Sequence, residues 1–169
     1  MGGVPSAQAS ATEKGRKTPA AVQDYLASHP NAYQTSTYQV AFGDGSVRMN
    51  FVPEGSDHVA TPELTSALAA TSYLNQCPYG NSTFWYCFYQ HSNFKGRMLQ
   101  FKACGPFGGV SQNLADYGFQ QETSSWTNTN PNARIYVFSN PDWTQLLWIE
   151  DKGPTQSSWV GTAQTWIRE

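Results

Sequence analysis

Between Tyr38 and Phe51 the apolar side chains fall on every second residue. Tyr38, Val40 and Phe42 precede Gly43-Asp44-Gly45-Ser46, and Val47, Met49 and Phe51 follow it. Period-two patterning around a Gly/Asp turn predicts a β-hairpin. The stretch before it has a different period. Val22, Tyr25 and Leu26 share one face of a helix predicted over Ala20–Ser28. Thr18-Pro19 offers an N-cap and a first-turn proline, and His29-Pro30 ends the helix. Pro53 to Pro62 reads as a linker, and Glu63 to Leu74 as a short helix.

The pattern changes at Cys77. From there short aromatic-rich runs alternate with Gly, Asn, Pro and Ser turns, which predicts an all-β sandwich or barrel. The candidate strands are Thr83–Tyr89, Met98–Ala103, Ser124–Asn128, Ala133–Phe138, Leu146–Glu150 and Thr165–Arg168. "SQNLADYGF" between two of them reads as a helical turn. Three regions result. Residues 1–17, small and polar, form a disordered or extended arm. Residues 18–75 form a helix–hairpin region with its linker, and residues 76–169 form the β domain.

One short motif sharpens the fold. Tyr89-x4-Phe94-x-Gly96, within "YQHSNFKG", places two aromatics and a glycine at fixed offsets. A second copy, Phe138-x4-Trp143-x-Gln145, keeps the aromatics and replaces the glycine. "ETSSW" supplies Ser124 and Ser125 about thirty-five residues after the first copy, and Thr165 takes that place for the second.

These residues resemble the βγ-crystallin Greek key. There the glycine takes a backbone conformation closed to other residues. The first aromatic covers the corner, and a serine on the fourth strand closes it by hydrogen bonding. The fuller string "CPYGNSTFWYCFYQHSNFKGRMLQFKACG … LADYGFQQETSSW" resembles a secreted actinobacterial peptidase-inhibitor family. That family includes the Streptomyces metalloproteinase inhibitor. The match covers roughly the last 90 residues. The resemblance implies a mainly β fold: a βγ-crystallin-like double Greek-key sandwich preceded by a small helix plus β-hairpin extension. Tyr89, Phe94, Gly96, Ser124, Phe138 and Trp143 are its structural motif.

The resemblance also implies a non-catalytic protein that acts by contact with a protein partner, a secreted peptidase or a component of a secreted complex. The same fold occurs in killer-toxin-like proteins, so an antimicrobial or adaptor role follows as an alternative. Trp and Tyr beside Asn and Gln suggest a lectin-like surface binder as a third. An early Cys-Pro…Cys pair is bonded in the family, which points to Cys77–Cys87. The residues themselves leave Cys77–Cys104 open. The family's reactive loop lies in its second half with its own disulfide, and this chain has no cysteine after Cys104. That loop therefore does not carry over.

Composition narrows the classes. Charged residues make up 13% of the chain, about half the usual ~25%. The net charge is -2, which excludes the basic footprint of a nucleic-acid binder. No apolar run approaches the ~18 residues of a membrane span. Met1-Gly-Gly-Val-Pro is no signal peptide, and "AQASATEKG" looks like the segment after a cleavage site. A mature secreted chain is the expectation.

Calcium and catalysis find little support. Calcium wants several anionic or carbonyl oxygens. The crystallin-type site would use Gln120, Gln121, Ser124 and Ser125, with Gln at both acidic places. No metal and no cofactor are expected. His29, His58 and His91 have no metal-type spacing and read as surface residues. Asp142, Glu150 and Asp151 read as solvated loop acids. Most tryptophans of the second half should be core. Trp143 in "NPDWTQ" and Trp159 in "QSSWVG", both read at turns, are the candidate partner-binding anchors.

Overall fold

Helix α1 spans Ala20–Ser28, as the apolar spacing predicts, and buries Val22 and Tyr25. The computed structural model describes residues 18–60, 72–79, 83–102, 111–140, 142–163 and 166–168, with backbone alone for 72–73, 79, 155–163 and 166–168. Pro19, not Thr18, sits at the cap, and its carbonyl accepts from the amides of Val22 and Gln23. The fixed φ of proline sets the chain into the first turn unaided. The Thr18 hydroxyl turns instead to Gln34 Oε1 at 3.2 Å. At the other end the His29 ring stacks on Tyr25 with centroids 4.0 Å apart. His29 is therefore half-buried, not the surface residue expected.

Strands β1 (Ala32–Ser36), β2 (Gln39–Phe42) and β3 (Val47–Asn50) form a meander. The β2–β3 pair is the hairpin read from the period-two pattern. A small hairpin follows, β4 (Ser72–Leu74) and β5 (Cys77–Tyr79). Its two turn residues, Asn75 and Gln76, both have positive φ (50° and 64°), the geometry a two-residue hairpin loop requires. This corrects the end of the expected Glu63–Leu74 helix: Ser72–Leu74 are strand, because they pair with Cys77–Tyr79. The rest of that helix lies outside the described residues.

The remainder is two units of four strands. The first holds β6 (Trp85–His91), β7 (Lys95–Lys102), β8 (Ser111–Asn113) and β9 (Thr123–Asn128). The second holds β10 (Ile135–Phe138), β11 (Leu146–Glu150), β12 (Thr155–Ala163) and β13 (Trp166–Arg168). "LADY" is a 3₁₀ turn, as read, while the "SQN" before it is strand β8. Each unit sends its third strand into the other's sheet. The larger sheet runs β1-β2-β3-β7-β6-β9-β12, and the smaller β11-β10-β13-β8. Every strand pairing in both sheets is antiparallel.

Trp159 lies inside β12, which corrects its reading at a turn. Backbone pairing to β9, with Ser157 opposite Trp126, draws this polar stretch into the sheet.

Apolar rows run across the middle strands of the larger sheet. Val40, Met49, Leu99, Phe88 and Trp126 lie side by side on β2, β3, β7, β6 and β9. Phe42, Val47, Phe101 and Tyr86 form the next row. The core they enter also holds Val22 and Tyr25 of the helix and Ile135 and Val137 of the smaller sheet. The opposite face of β6 is covered too. Trp85, Cys87 and Tyr89 pack with Met98, Val59 and Cys77. That is why "WYCFY" is buried at every residue and does not alternate. Amides stitch the hairpin to β7: Gln39 Nε2 donates to Asn50 Oδ1 at 2.6 Å, and Asn50 Nδ2 to Gln100 Oε1 at 2.7 Å.

Two buried phenols give the fold an alkaline limit. Tyr25 donates to the Tyr117 carbonyl and Tyr89 to that of Asn75, each at 2.6 Å. Burial, as the largest cause, pushes both hydroxyls well above the ordinary tyrosine value. A raised folded-state pKa stabilises the protein at any pH below the unfolded phenol's ~10 and is lost as pH climbs from there toward the raised value. Denaturant titrations should therefore show no loss from these phenols between about pH 7 and pH 9.5 and a steady fall above it. A flat profile to about pH 11.5 would contradict the burial of these phenols.

Candidate functional site

The first corner is built where β6 turns into β7. Gly96 has φ +77°, and a Cβ there would stand 2.8 Å from His91 Cδ2 and 2.9 Å from Gln90 Cβ. Both the backbone angle and the space demand glycine. Phe94 also has positive φ, 61°, unusual for a bulky residue. It is held there from two sides. The Tyr89 ring meets it edge-on at 5.4 Å, and its amide donates to Ser125 Oγ at 3.0 Å. The Ser125 hydroxyl donates in turn to the His91 carbonyl at 2.7 Å. The hydroxyl that ties this corner is thus Ser125's, and Ser124 sits beside it, buried.

The second corner repeats the aromatic geometry. Phe138 and Trp143 meet edge-on at 5.2 Å, and Trp143 has φ 61° at the place of Phe94. Gln145, at the glycine's place, has no positive φ. The bend is tied locally: Ser139 N–H donates to the Gln145 carbonyl at 3.0 Å and Asn140 Nδ2 to Thr144 Oγ1 at 2.9 Å. Thr165 lies outside the described residues. Trp143 is half-buried in its corner.

Replacing Ser125 by alanine removes both bonds of its hydroxyl and strands a strained amide. The expected loss is about 2–3 kcal/mol of unfolding free energy in denaturant titration. A loss under about 0.5 kcal/mol would show that the corner does not depend on it.

The other candidate residues are scattered. Cys77 and Cys87 form a disulfide, with Cα atoms 5.8 Å apart. Cys104 lies outside the described residues, as do the side chains of Trp159 and Trp166. His91 is exposed at the first corner, and His58 pairs with Asp57 at 2.5 Å. Gln120 and Gln121 are exposed, and Ser125 is engaged with the corner. Among the described residues no three of His, Cys, Asp and Glu come together. No described helix is long and apolar enough to cross a membrane. Glu150 corrects an expectation. It is buried, not solvated, because β11 turns it inward to accept the Trp126 indole N–H at 2.5 Å.

Among the described residues two surfaces stand out that can receive a partner. One is a groove of about 670 Å³ between α1, the segment after β3 and the first corner. Tyr25, Phe51 and Val52 line its apolar part, and Asp24, His91 and Arg97 its polar part. The Lys95–Asp57 ion pair, 2.5 Å long, bridges the corner to that segment. The other is strand β11, where Leu146, Leu147 and Ile149 are 45%, 41% and 48% exposed. A run such as "LLWIE" reads as core, so this exposure has no local signal.

Comparison with known proteins adds one finding. Residues 70–149 match the model of peptidase inhibitor family I36. The matched stretch takes in the disulfide, the first four-strand unit, β10 and most of β11, and it supports the peptidase-inhibitor family. No curated protein and no solved structure matches the chain.

Proposed function

From the match of residues 70–149 to the model of peptidase inhibitor family I36, we propose that the protein is a secreted inhibitor that blocks a peptidase by direct contact, without chemistry of its own. The family match is the observation that carries this reading. Two structural features support it. The Cys77–Cys87 disulfide suits an oxidising compartment outside the cell. The interlocked strand order and the Tyr89–Phe94–Gly96–Ser125 corner suit a βγ-crystallin-like scaffold, rigid enough to present a surface without refolding. Cys77 and Cys87 are bonded to each other, so neither is a free nucleophile.

The test is a panel of secreted metallo-, serine and cysteine peptidases assayed with the full chain. Inhibition of at least one at micromolar protein is expected. Silence across the panel would overturn the reading. A second reading, an adaptor in a secreted assembly, draws on the groove beside α1, which residues before the family match build jointly with Gln90–Arg97. If that reading holds, Asp24→Lys weakens capture of the partner and leaves peptidase inhibition unchanged.

A further inference from the structure

Strand β11 ends the smaller sheet, with β10 on its inner side and no described strand on its outer side. Natural edge strands are blunted by lysine, proline or inward-pointing charge that no partner could tolerate. β11 contains no lysine and no proline, and its one charged residue, Glu150, points inward and is engaged by the Trp126 indole N–H, which leaves the exposed row Leu146–Ile149 uncharged. It carries three of the four large apolar side chains exposed among the described residues. The strand that ends the larger sheet at the helix side, β1, reads Ala-Tyr-Gln-Thr-Ser and is mostly polar.

A bulge shapes the exposed row. Val137 stands opposite Trp148 and Phe138 opposite Leu146, so Leu147 is an extra residue. Such bulges re-aim side chains at sheet edges, and here both leucines are exposed. The inner face is fixed. Trp148 stacks on Trp126 with centroids 4.2 Å apart, and Glu150 holds the Trp126 indole N–H. The Arg134–Asp151 ion pair, 2.8 Å long, stands at one end of the strand as a polar rim. An apolar centre with a polar rim on a rigid support is the anatomy of a protein interface.

We propose that β11 is the docking strand, and that it pairs edge to edge with an extended segment bordering the substrate cleft of a peptidase with apolar subsites. This rests on the inhibitor reading, and the family match runs through Ile149 of this strand. A peptidase must hold its substrate extended to reach the scissile carbonyl. An extended guest binds by a backbone ladder plus pockets for alternate side chains. β11 offers the same two features, with Leu147 and Ile149 two residues apart.

The experiment takes a peptidase that the wild-type chain inhibits and compares the Leu147→Lys/Ile149→Lys double variant with Tyr33→Lys, a control at an exposed aromatic elsewhere. The double variant should weaken inhibition about 100-fold, as expected for central anchors, with its melting midpoint unchanged. Tyr33→Lys should inhibit as the wild type does. If the lysines lower the midpoint, Leu147→Thr/Ile149→Thr keeps strand propensity and should still cost about tenfold. Inhibition within about threefold of wild type by a folded double variant would overturn the docking strand and leave the inhibitor reading standing. A wild type that inhibits no peptidase would remove both. A wild-type dimer in sedimentation that the double variant dissolves would overturn the peptidase as occupant in favour of a second copy.

Discussion

Deleting residues 18–51 should leave a chain with no cooperative unfolding transition. The segment brings Val22, Tyr25, Val40, Val47, Met49 and Phe51 into the main core. At about 1.5–3 kcal/mol for each fully buried side chain, their loss amounts to about 9–18 kcal/mol before the entropy of ordering the segment is counted. A domain of this kind has only about 5–15 kcal/mol of stability to lose. The partners left behind suffer as well. Met49 and Val47 are the cross-strand neighbours of Leu99 and Phe101, so deletion uncovers β7 and creates a long apolar edge. Gln100 would lose the Asn50 amide that donates to it. The expectation makes the helix–hairpin a permanent part of the fold rather than a removable pro-region. Near-ultraviolet circular dichroism on heating is the check, and a sharp transition in residues 52–169 alone would refute it.

The second large effect is expected at Gly153. Its amide donates to the Asn130 carbonyl at 2.7 Å. A Cβ at this position would lie 2.2 Å from the Asn128 carbonyl oxygen and 2.8 Å from its carbon. The obstacle is backbone, and that backbone is pinned. Asn128 Nδ2 donates to the carbonyls of Ala133 and Asp151 at 3.0 and 2.9 Å. Thr129 Oγ1 accepts from the Trp85 amide at 2.8 Å. Gly153→Ala should therefore cost about 3–5 kcal/mol, the range of severe overpacking. Gly55→Ala separates clash from backbone strain. Gly55 has φ +79° and nothing within 4 Å of its would-be Cβ. It should cost only about 1 kcal/mol. Equal costs for the two variants, read by urea titration, would mean that the clash relaxes.

The backbone that crowds Gly153 carries no local mark of its burial. "TNPN", residues 129–132, reads as a polar loop between strands, yet Thr129 and Asn130 are buried, as is Asn128 at the end of the strand before them. Their polar atoms are satisfied by Trp85, Pro78, Ala133 and Asp151, residues distant in the chain or brought close only by the fold. Local polarity says nothing about such partners. β1 and β12 were hidden for a related reason. Both are polar and without alternation, and they become strands because a neighbour offers a ladder of backbone groups. The β2–β3 hairpin and the first corner were legible because their signals are local: a period of two around a turn, and two aromatics and a glycine at fixed offsets. The residue that ties the corner, Ser125 rather than Ser124, depends on which neighbour of a pair faces the bend. β11 was legible as a strand but not as an exposed one. Leu147 and Ile149 alternate outward around the inward Trp148 and Glu150, and a bulge at Leu146–Leu147 exposes the next leucine as well, a feature that leaves no mark in the spacing.

The central claim is that this scaffold stops a peptidase by contact and survives the encounter. Titrating a susceptible peptidase with the full chain, then weighing the recovered protein, tests it most directly. Activity should fall in proportion to added protein and reach zero near about one equivalent. The chain should be recovered uncut at 18.7 kDa. Undiminished activity at about a tenfold excess, or a chain returned in fragments, would contradict it.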